Sequence, residues 1–204
     1  MRQTADLAAI VLAAGFSRRM GGVNKLLKLL GGQPLISHAL ANAAGLGLGQ
    51  LIVVLGAAAD DIAPLLPSFA TIVRSSHAAE GMGASLAAGA AALDPGLAGA
   101  FVALGDMPFV ERGDYEKLVA AFHEERAEAI CVPLHQGRRG HPVLFPARCF
   151  PALAALCGDE GARHLLTASG ERIRAVEGCS IGILTDFDNP RSFEAFKPPL
   201  SGDG

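Results

Sequence analysis

Leu7-Ala8-Ala9-Ile10-Val11-Leu12-Ala13-Ala14-Gly15-Phe16-Ser17-Arg18-Arg19-Met20-Gly21-Gly22-Val23-Asn24-Lys25 is the stretch that decides the fold of this chain. The run Leu7–Leu12 is apolar without a break, the pattern of a parallel strand buried on both faces. Directly beyond it, glycines, a hydroxyl, two arginines and a lysine share one loop. Glycine lets backbone approach a ligand closely, and N–H groups exposed there can cradle an anion. Arg18, Arg19 and Lys25 supply the countercharge. A loop built this way suits a triphosphate. The alternative is a glycine-rich turn carrying solvated cations.

Two commoner phosphate loops do not fit. A P-loop needs Gly-Lys-Ser/Thr in succession, whereas Lys25 is followed by Leu26. A dinucleotide fingerprint needs G-x-G-x-x-G after the strand, and none stands there. Gly45, Gly47 and Gly49 precede the next strand and read as a helix exit.

Working outward, apolar runs alternate with helical patterns. Strands are expected at Leu7–Leu12, Leu51–Leu55, Ala70–Arg74, Ala100–Leu104, Ala129–Pro133, Pro142–Phe145, Ile173–Val176 and Ser180–Leu184. Helices are expected from Pro34 to Ala44, Asp60 to Leu66, Gly83 to Leu93, around Tyr115–Phe122, at Arg148–Leu156, Glu160–Ala168 and Pro190–Phe196. This alternation implies an α/β fold, three layers deep, with a mainly parallel sheet and helices on both faces. Crossovers then place the loops after the strands along one edge, where ligands of such folds bind. The loop after Leu12, the turn at Asp106 and the segment after Leu184 should converge there.

Composition sets the limits. At 204 residues, with no linker or internal repeat, one domain is expected, its core at about 7–196 and its tail at 197–204 frayed. Half the residues are hydrophobic and 18% charged, enough for a large core, while only 5% are aromatic, which suits helices packed closely on a sheet. A net charge of −3, with no basic tract beyond the first loop, argues against nucleic acid as a partner. No apolar run approaches the roughly 20 residues of a membrane span, and the first residues lack the regions of a signal peptide. Cys131, Cys149, Cys157 and Cys179 form no C-x-x-C pair. They read as reduced, mostly buried thiols of a cytoplasmic protein.

Four further motifs carry chemistry. Gly105-Asp106-Met107-Pro108 ends a strand, where an aspartate can hold a divalent cation or cap a helix. Thr185-Asp186-Phe187-Asp188-Asn189-Pro190 is a second acidic site, in which Asp186 and Asp188 can share one side of an extended segment. Asp188 or Asn189 can also cap the following helix. Glu80-Gly81-Met82-Gly83-Ala84-Ser85 is a glycine-rich turn opening a helix, with Ser85 either a ligand contact or a helix-start serine. Arg138-Arg139-Gly140-His141-Pro142 places two arginines and a histidine before a short strand, suited to an anionic acceptor such as a phosphomonoester. A lone histidine is as readily structural.

The Leu-Ala-Ala-Gly-x-Ser-x-Arg-Met-Gly…Lys pattern from Leu12 to Lys25 resembles the opening motif of the nucleotidyltransferases. The resemblance runs over about residues 7–196. It is strongest to the molybdenum cofactor cytidylyltransferases and their guanylyltransferase cousins. It implies a Rossmann-like nucleotidyltransferase fold and a Mg²⁺-dependent transfer of CMP from CTP to the terminal phosphate of a molybdopterin-type acceptor, with release of pyrophosphate. Lys25, Arg19 and Asp106 would be catalytic, with Lys25 on the α-phosphate and Arg19 on the leaving phosphates. Leu12, Ala13, Ala14, Gly15, Ser17, Arg18, Gly81, Gly83 and Ser85 would complete the nucleotide site. Metal would be held by Asp106 and by Asp186 or Asp188. Arg138, Arg139, His141, Pro142 and Arg163 would face the acceptor. The last belongs to Gly158-Asp159-Glu160-Gly161-Ala162-Arg163, which resembles an acceptor-side segment of this branch, although Asp159 can simply cap a helix. Relatives often carry Ser where Gly83 and Ala84 stand. Ala14, where the guanine branch usually has Gly, narrows the base site and favours a pyrimidine. The competing expectations are guanylyl or other nucleotidyl transfer to another phosphorylated acceptor, such as a sugar phosphate, and a non-catalytic cofactor-binding chaperone serving a client molybdoenzyme.

Overall fold

The computed structural model describes residues 4–15, 24–159, 161–167 and 170–187. Ser17, Arg18, Arg19, Asp188 and the expected helix at Pro190–Phe196 lie outside these residues. Ten strands are described: β1 (Leu7–Ala13), β2 (Leu29–Leu30), β3 (Gln33–Pro34), β4 (Gln50–Leu55), β5 (Thr71–Arg74), β6 (Gly99–Leu104), β7 (Ile130–His135), β8 (Arg138–Arg139), β9 (Val143–Pro146) and β10 (Ile173–Val176). The α-helices are α1 (Leu35–Ala44), α2 (Ala59–Ile62), α3 (Met82–Ala90), α4 (Arg112–Glu124) and α5 (Phe150–Ala154).

The main sheet runs β10-β7-β9-β6-β1-β4-β5, with β8 added to β7 as a hairpin, while β2 and β3 pair separately. It is mainly parallel: β1 pairs in parallel with both β4 and β6, β4 with β5, and β7 with β10. The strand β9 is antiparallel to β6 and β7.

The unbroken apolar strands follow from burial on two sides. Alternate residues of a strand face opposite ways. In β1, Leu7, Ala9, Val11 and Ala13 enter one core, while Ile10 enters another. In β4, Leu51, Val53 and Leu55 face the first core and Ile52 and Val54 the second. The first core is closed by Leu35, Ile36 and Leu40 of α1 and by Tyr115, Leu118 and Phe122 of α4. The second is closed by Leu86 and Ala90 of α3 and Leu153 of α5. These three layers are the architecture implied by the sequence.

Strand β1 lies between β4, which follows it, and β6, which comes after a long excursion. Chain order therefore reverses at β1, and a crevice opens beyond the carboxyl ends of β1 and β6. Leu12 pairs with Leu104, and the Gly105 N–H donates to Leu12 O at 2.9 Å. The loop after β1 and the turn carrying Asp106 are thereby side by side.

Some expected elements differ. Ser180–Leu184 does not extend the sheet: Ile181–Leu184 is a 3₁₀ turn. The Ser180 hydroxyl accepts from the Gly182 N–H and so caps that turn. A Cβ at Gly182 would fall on the Phe109 carbonyl, so the chain is pressed onto the turn after β6 instead of pairing with a strand. Asp60–Leu66 divides into α2 and a 3₁₀ turn at Ala63–Leu65 with a proline at its start. Arg148–Leu156 becomes a 3₁₀ turn at Ala147–Cys149 leading into α5. Of Glu160–Ala168, the described helical part is the 3₁₀ turn Arg163–Leu166.

Candidate functional site

A cavity of about 400 Å³ sits in the crevice, a volume typical of small-molecule sites. Its floor is the end of β1 and the start of the following loop: Leu12, Ala13, Ala14 and Gly15. Lys25 and Leu26 come from the 3₁₀ turn Lys25–Leu27, which Asn24 caps by accepting the Leu26 N–H at 3.0 Å. Leu104 and Asp106 come from the end of β6, and Asp186 from the segment after the 3₁₀ turn. The three segments that topology brings to this edge thus meet in one cavity. The opposite wall is Ala78, Ala79, Gly81, Met82 and Ser85, with Asp159 beside them.

Lys25 Nζ donates to Asp106 Oδ2 at 2.5 Å, and the two side chains are only 15% and 18% exposed. This charge-assisted pair stands at the mouth of the β1–β6 crevice. The described wall nevertheless carries three carboxylates, Asp106, Asp159 and Asp186, against the single ammonium of Lys25. Among the described residues, no group of three or more His, Cys, Asp or Glu side chains could close a metal cage. Asp106 and Asp186 instead offer the sparse oxygen set that Mg²⁺ or a similar hard cation accepts when phosphate oxygens complete its shell.

The segment bearing Asp186 is tied down along its length. The Phe187 N–H donates to Asp106 O at 3.1 Å, and the buried Phe187 ring lies 5.5 Å from that of Phe109. Ile183 O accepts the His141 N–H at 3.0 Å. The His141 ring is half-buried, with Nδ1 a long 3.5 Å from Val102 O. Burial pushes its pKa below the ordinary histidine value, outweighing the Val102 carbonyl and the Asp106 charge, which act upward. His141 is therefore neutral at pH 7.

Gly81 and Gly83 have a packing reason. Gly83 N–H donates to Gly158 O at 2.8 Å. A Cβ at Gly83 would come within 2.6 Å of Cys157 O and 2.7 Å of Gly158 O. At Gly81 the backbone has φ +131°, and a Cβ would meet the Asp159 carboxylate. Gly83 itself is buried behind the wall and does not line the cavity. Ser85 does, while its hydroxyl donates to Gly81 O at a long 3.4 Å.

The acceptor-side expectations fall elsewhere. Arg138 and Arg139 form the exposed strand β8, paired to His135 and Leu134 of β7. Arg163 is exposed on its 3₁₀ turn, and Pro142 is buried. None of Arg138, Arg139, His141, Pro142 and Arg163 lines the cavity. Conversely, Ala78, Ala79 and Met82 line it without an individual ligand role expected from the sequence, and Asp159, expected on the acceptor side or as a helix cap, lines it too. The only signal for the first three is their position beside the glycine turn. For Asp159 it is the acidic pair Asp159-Glu160 between Gly158 and Gly161.

A mainly parallel α/β sheet with a glycine-started loop, a lysine and two carboxylates at its switch point is the setting of a phosphate-binding site in an α/β protein. The profile of the MobA-like NTP transferase domain matches residues 9–173, and the chain belongs to that family. It is 31% identical to the purine catabolism protein PucB of Bacillus subtilis over 96% of this chain and 98% of that protein. It is 32% identical to the molybdenum cofactor guanylyltransferase of Mesorhizobium japonicum over 78% of this chain and 76% of that one. The crystal structure of Rv0371C of Mycobacterium tuberculosis in complex with manganese superposes with a TM-score of 0.74 at 27% identity, covering 93% and 99% of the two chains. No helix among the described residues is long and apolar enough to cross a membrane.

Proposed function

We propose that the chain transfers CMP from CTP to the terminal phosphate of a molybdopterin-type acceptor, with Mg²⁺, and releases pyrophosphate. The observation that carries this reading is the convergence of Gly15, Lys25, Asp106 and Asp186 on one cavity at the switch point. A wall with three carboxylates repels a triphosphate unless a divalent cation sits on it. Asp106 and Asp186 would hold that cation, which would supply charge neutralisation for the phosphate oxygens.

The protein's own part is positioning and electrostatics. An attacking acceptor phosphate forms a bond to the α-phosphorus as the bond to the leaving pyrophosphate breaks, and no protein nucleophile is needed. Lys25 takes an α-phosphate oxygen, exchanging the Asp106 carboxylate for a developing negative charge. Arg18 and Arg19 of the same loop supply further charge, with Arg19 on the leaving phosphates. The backbone at Ala13-Ala14-Gly15 passes the base, and the Ala14 methyl favours the smaller pyrimidine. Arg138, Arg139, His141, Pro142 and Arg163, off the cavity but in part at the same sheet edge, would receive the acceptor.

The similarity to a molybdenum cofactor guanylyltransferase favours the pterin-type acceptor and keeps GTP as the second reading of the base. Pyrophosphate release with Mg²⁺, purified molybdenum cofactor and each of CTP, GTP, ATP and UTP tests the proposal. Turnover with CTP supports it. Turnover with GTP moves the base choice to the guanylyl side. No turnover with any nucleotide overturns the acceptor.

A further inference from the structure

Asp114 is a buried carboxylate that the reaction above does not use: it is 2% exposed, in the first turn of α4. As part of the helix capping box it accepts the Glu111 N–H at 2.9 Å through Oδ2. That task occupies one bond, and an exposed residue performs it equally well. Asp114 accepts two more, both from a residue 66 positions away: the Ser180 N–H at 2.7 Å on Oδ1 and the Ser180 hydroxyl at 2.6 Å on Oδ2. All three donors are neutral. A carboxylate kept this far from water is costly unless several good hydrogen bonds replace its hydration.

Ser180 opens the segment 180–186 and caps its 3₁₀ turn. Its hydroxyl, held by Asp114, accepts the Gly182 N–H at 3.2 Å and so sets the 3₁₀ turn. Gly182 then presses on the Phe109 carbonyl, Ile183 O holds His141 N–H, and Phe187 N–H reaches Asp106 O. Phe109 and Asp106 belong to the very turn that leads into α4. Asp114 therefore joins the two chain segments that carry Asp106 and Asp186 without itself lining the cavity.

We infer that Asp114, through Ser180, is a positioning residue for the divalent-cation half of the site, setting where Asp186 stands relative to Asp106. This rests on the proposed role of those two carboxylates. Partners that orient metal-bound side chains from behind typically alter metal affinity by about 10- to 100-fold when removed.

The test is a Mn²⁺ titration of the full-length protein by electron paramagnetic resonance with CTP present, alongside steady-state kinetics and melting temperatures. Ser180→Ala, which keeps the carboxylate in place, is expected to weaken Mn²⁺ about tenfold. The KM for CTP at saturating metal should remain nearly unchanged. Ser180→Thr, which retains the hydroxyl, should restore wild-type affinity, and Asp114→Asn should behave like Ser180→Ala or worse. Asp106→Asn and Asp186→Asn serve as the reference. If these two lose Mn²⁺ while Ser180→Ala keeps wild-type affinity, the positioning role is wrong and the metal site stands. If Mn²⁺ affinity is indifferent to Asp106 and Asp186 as well, the metal reading fails and this inference with it. A parallel decline of Mn²⁺ affinity, CTP affinity at saturating metal and melting temperature in Ser180→Ala also overturns it, because that is the signature of general destabilisation.

Discussion

Replacing Lys25 by Ala separates the two things its ammonium does. In the structure it neutralises Asp106 at 2.5 Å, with both side chains more than four-fifths buried. In the proposed reaction it meets the α-phosphate. As a fold-stabilising pair it sits near the upper end of what partly exposed ion pairs contribute, about 1 kcal/mol. For a chain of 204 residues that is a fall in Tm of about 2–4 °C. As a preorganised contact that strengthens while charge develops, it is worth about 3 kcal/mol, or more than a hundredfold in kcat. Metal binding should move the opposite way. Without the ammonium, the Asp106 carboxylate no longer divides itself between Lys25 and a cation. The half-saturating Mg²⁺ concentration should fall by about fivefold, the equivalent of the same 1 kcal/mol. The assay is pyrophosphate release with CTP and molybdenum cofactor over a Mg²⁺ series, paired with thermal melts. A variant that keeps wild-type kcat, or one whose Mg²⁺ requirement rises with its loss of kcat, would refute the reasoning.

Gly83→Ser sets a Cβ 2.6 Å from the Cys157 carbonyl. It should cost about 1–3 kcal/mol in strain and lower Tm accordingly, and an unchanged melt would show that the Cys157–Asp159 segment yields freely. His141 has a pKa held below the ordinary value by burial. The unfolded chain therefore binds its proton first as pH falls, and stability is full above about 6.5 and declines below it. His141→Asn should flatten the Tm-against-pH profile below about pH 6.5, and an unaltered slope would assign the decline to other groups. Ala14→Gly removes the methyl from the cavity floor and should raise the GTP-to-CTP ratio of kcat/KM by about tenfold. Competition between the two nucleotides reads it directly, and an unmoved ratio places base choice elsewhere.

Local pattern was sufficient where burial is symmetric. Strand β1 feeds two cores with alternate residues, so its sequence is apolar throughout and reads as a strand without help. The positions of Lys25 and Asp106 then followed from topology, because parallel strands deliver their following loops to one edge, whereas Asp186 reaches the same cavity from a 3₁₀ turn and not from a strand end. Pattern failed where a distant partner decides the conformation. Ile181, Ile183 and Leu184 are as apolar as a strand, yet Asp114 and Phe109 set that segment as a 3₁₀ turn. The spacing within Ser180–Leu184 carries no trace of either. Gly83 was legible as a helix start but not as a contact with the Cys157 and Gly158 carbonyls, since those come from beyond α5.

The charges show the same limit in a form that bears on mechanism. Read along the chain, Arg18, Arg19 and Lys25 make a cationic loop and Asp106 a separate acidic one. In space Lys25 and Asp106 are one neutral pair, and the described wall around them is acidic. A phosphate oxygen that draws Lys25 away exposes Asp106 to a cation, and a cation on Asp106 releases Lys25 to a phosphate. In the proposed reaction the two binding events are therefore linked, and linkage is reciprocal: whatever factor the nucleotide gains from the metal, the metal gains from the nucleotide. A site in which lysine and aspartate stood apart would lack this part of the coupling and keep only the direct contact between cation and phosphate. The proximity of residues 81 positions apart thus turns two separate sequence motifs into one coupled device.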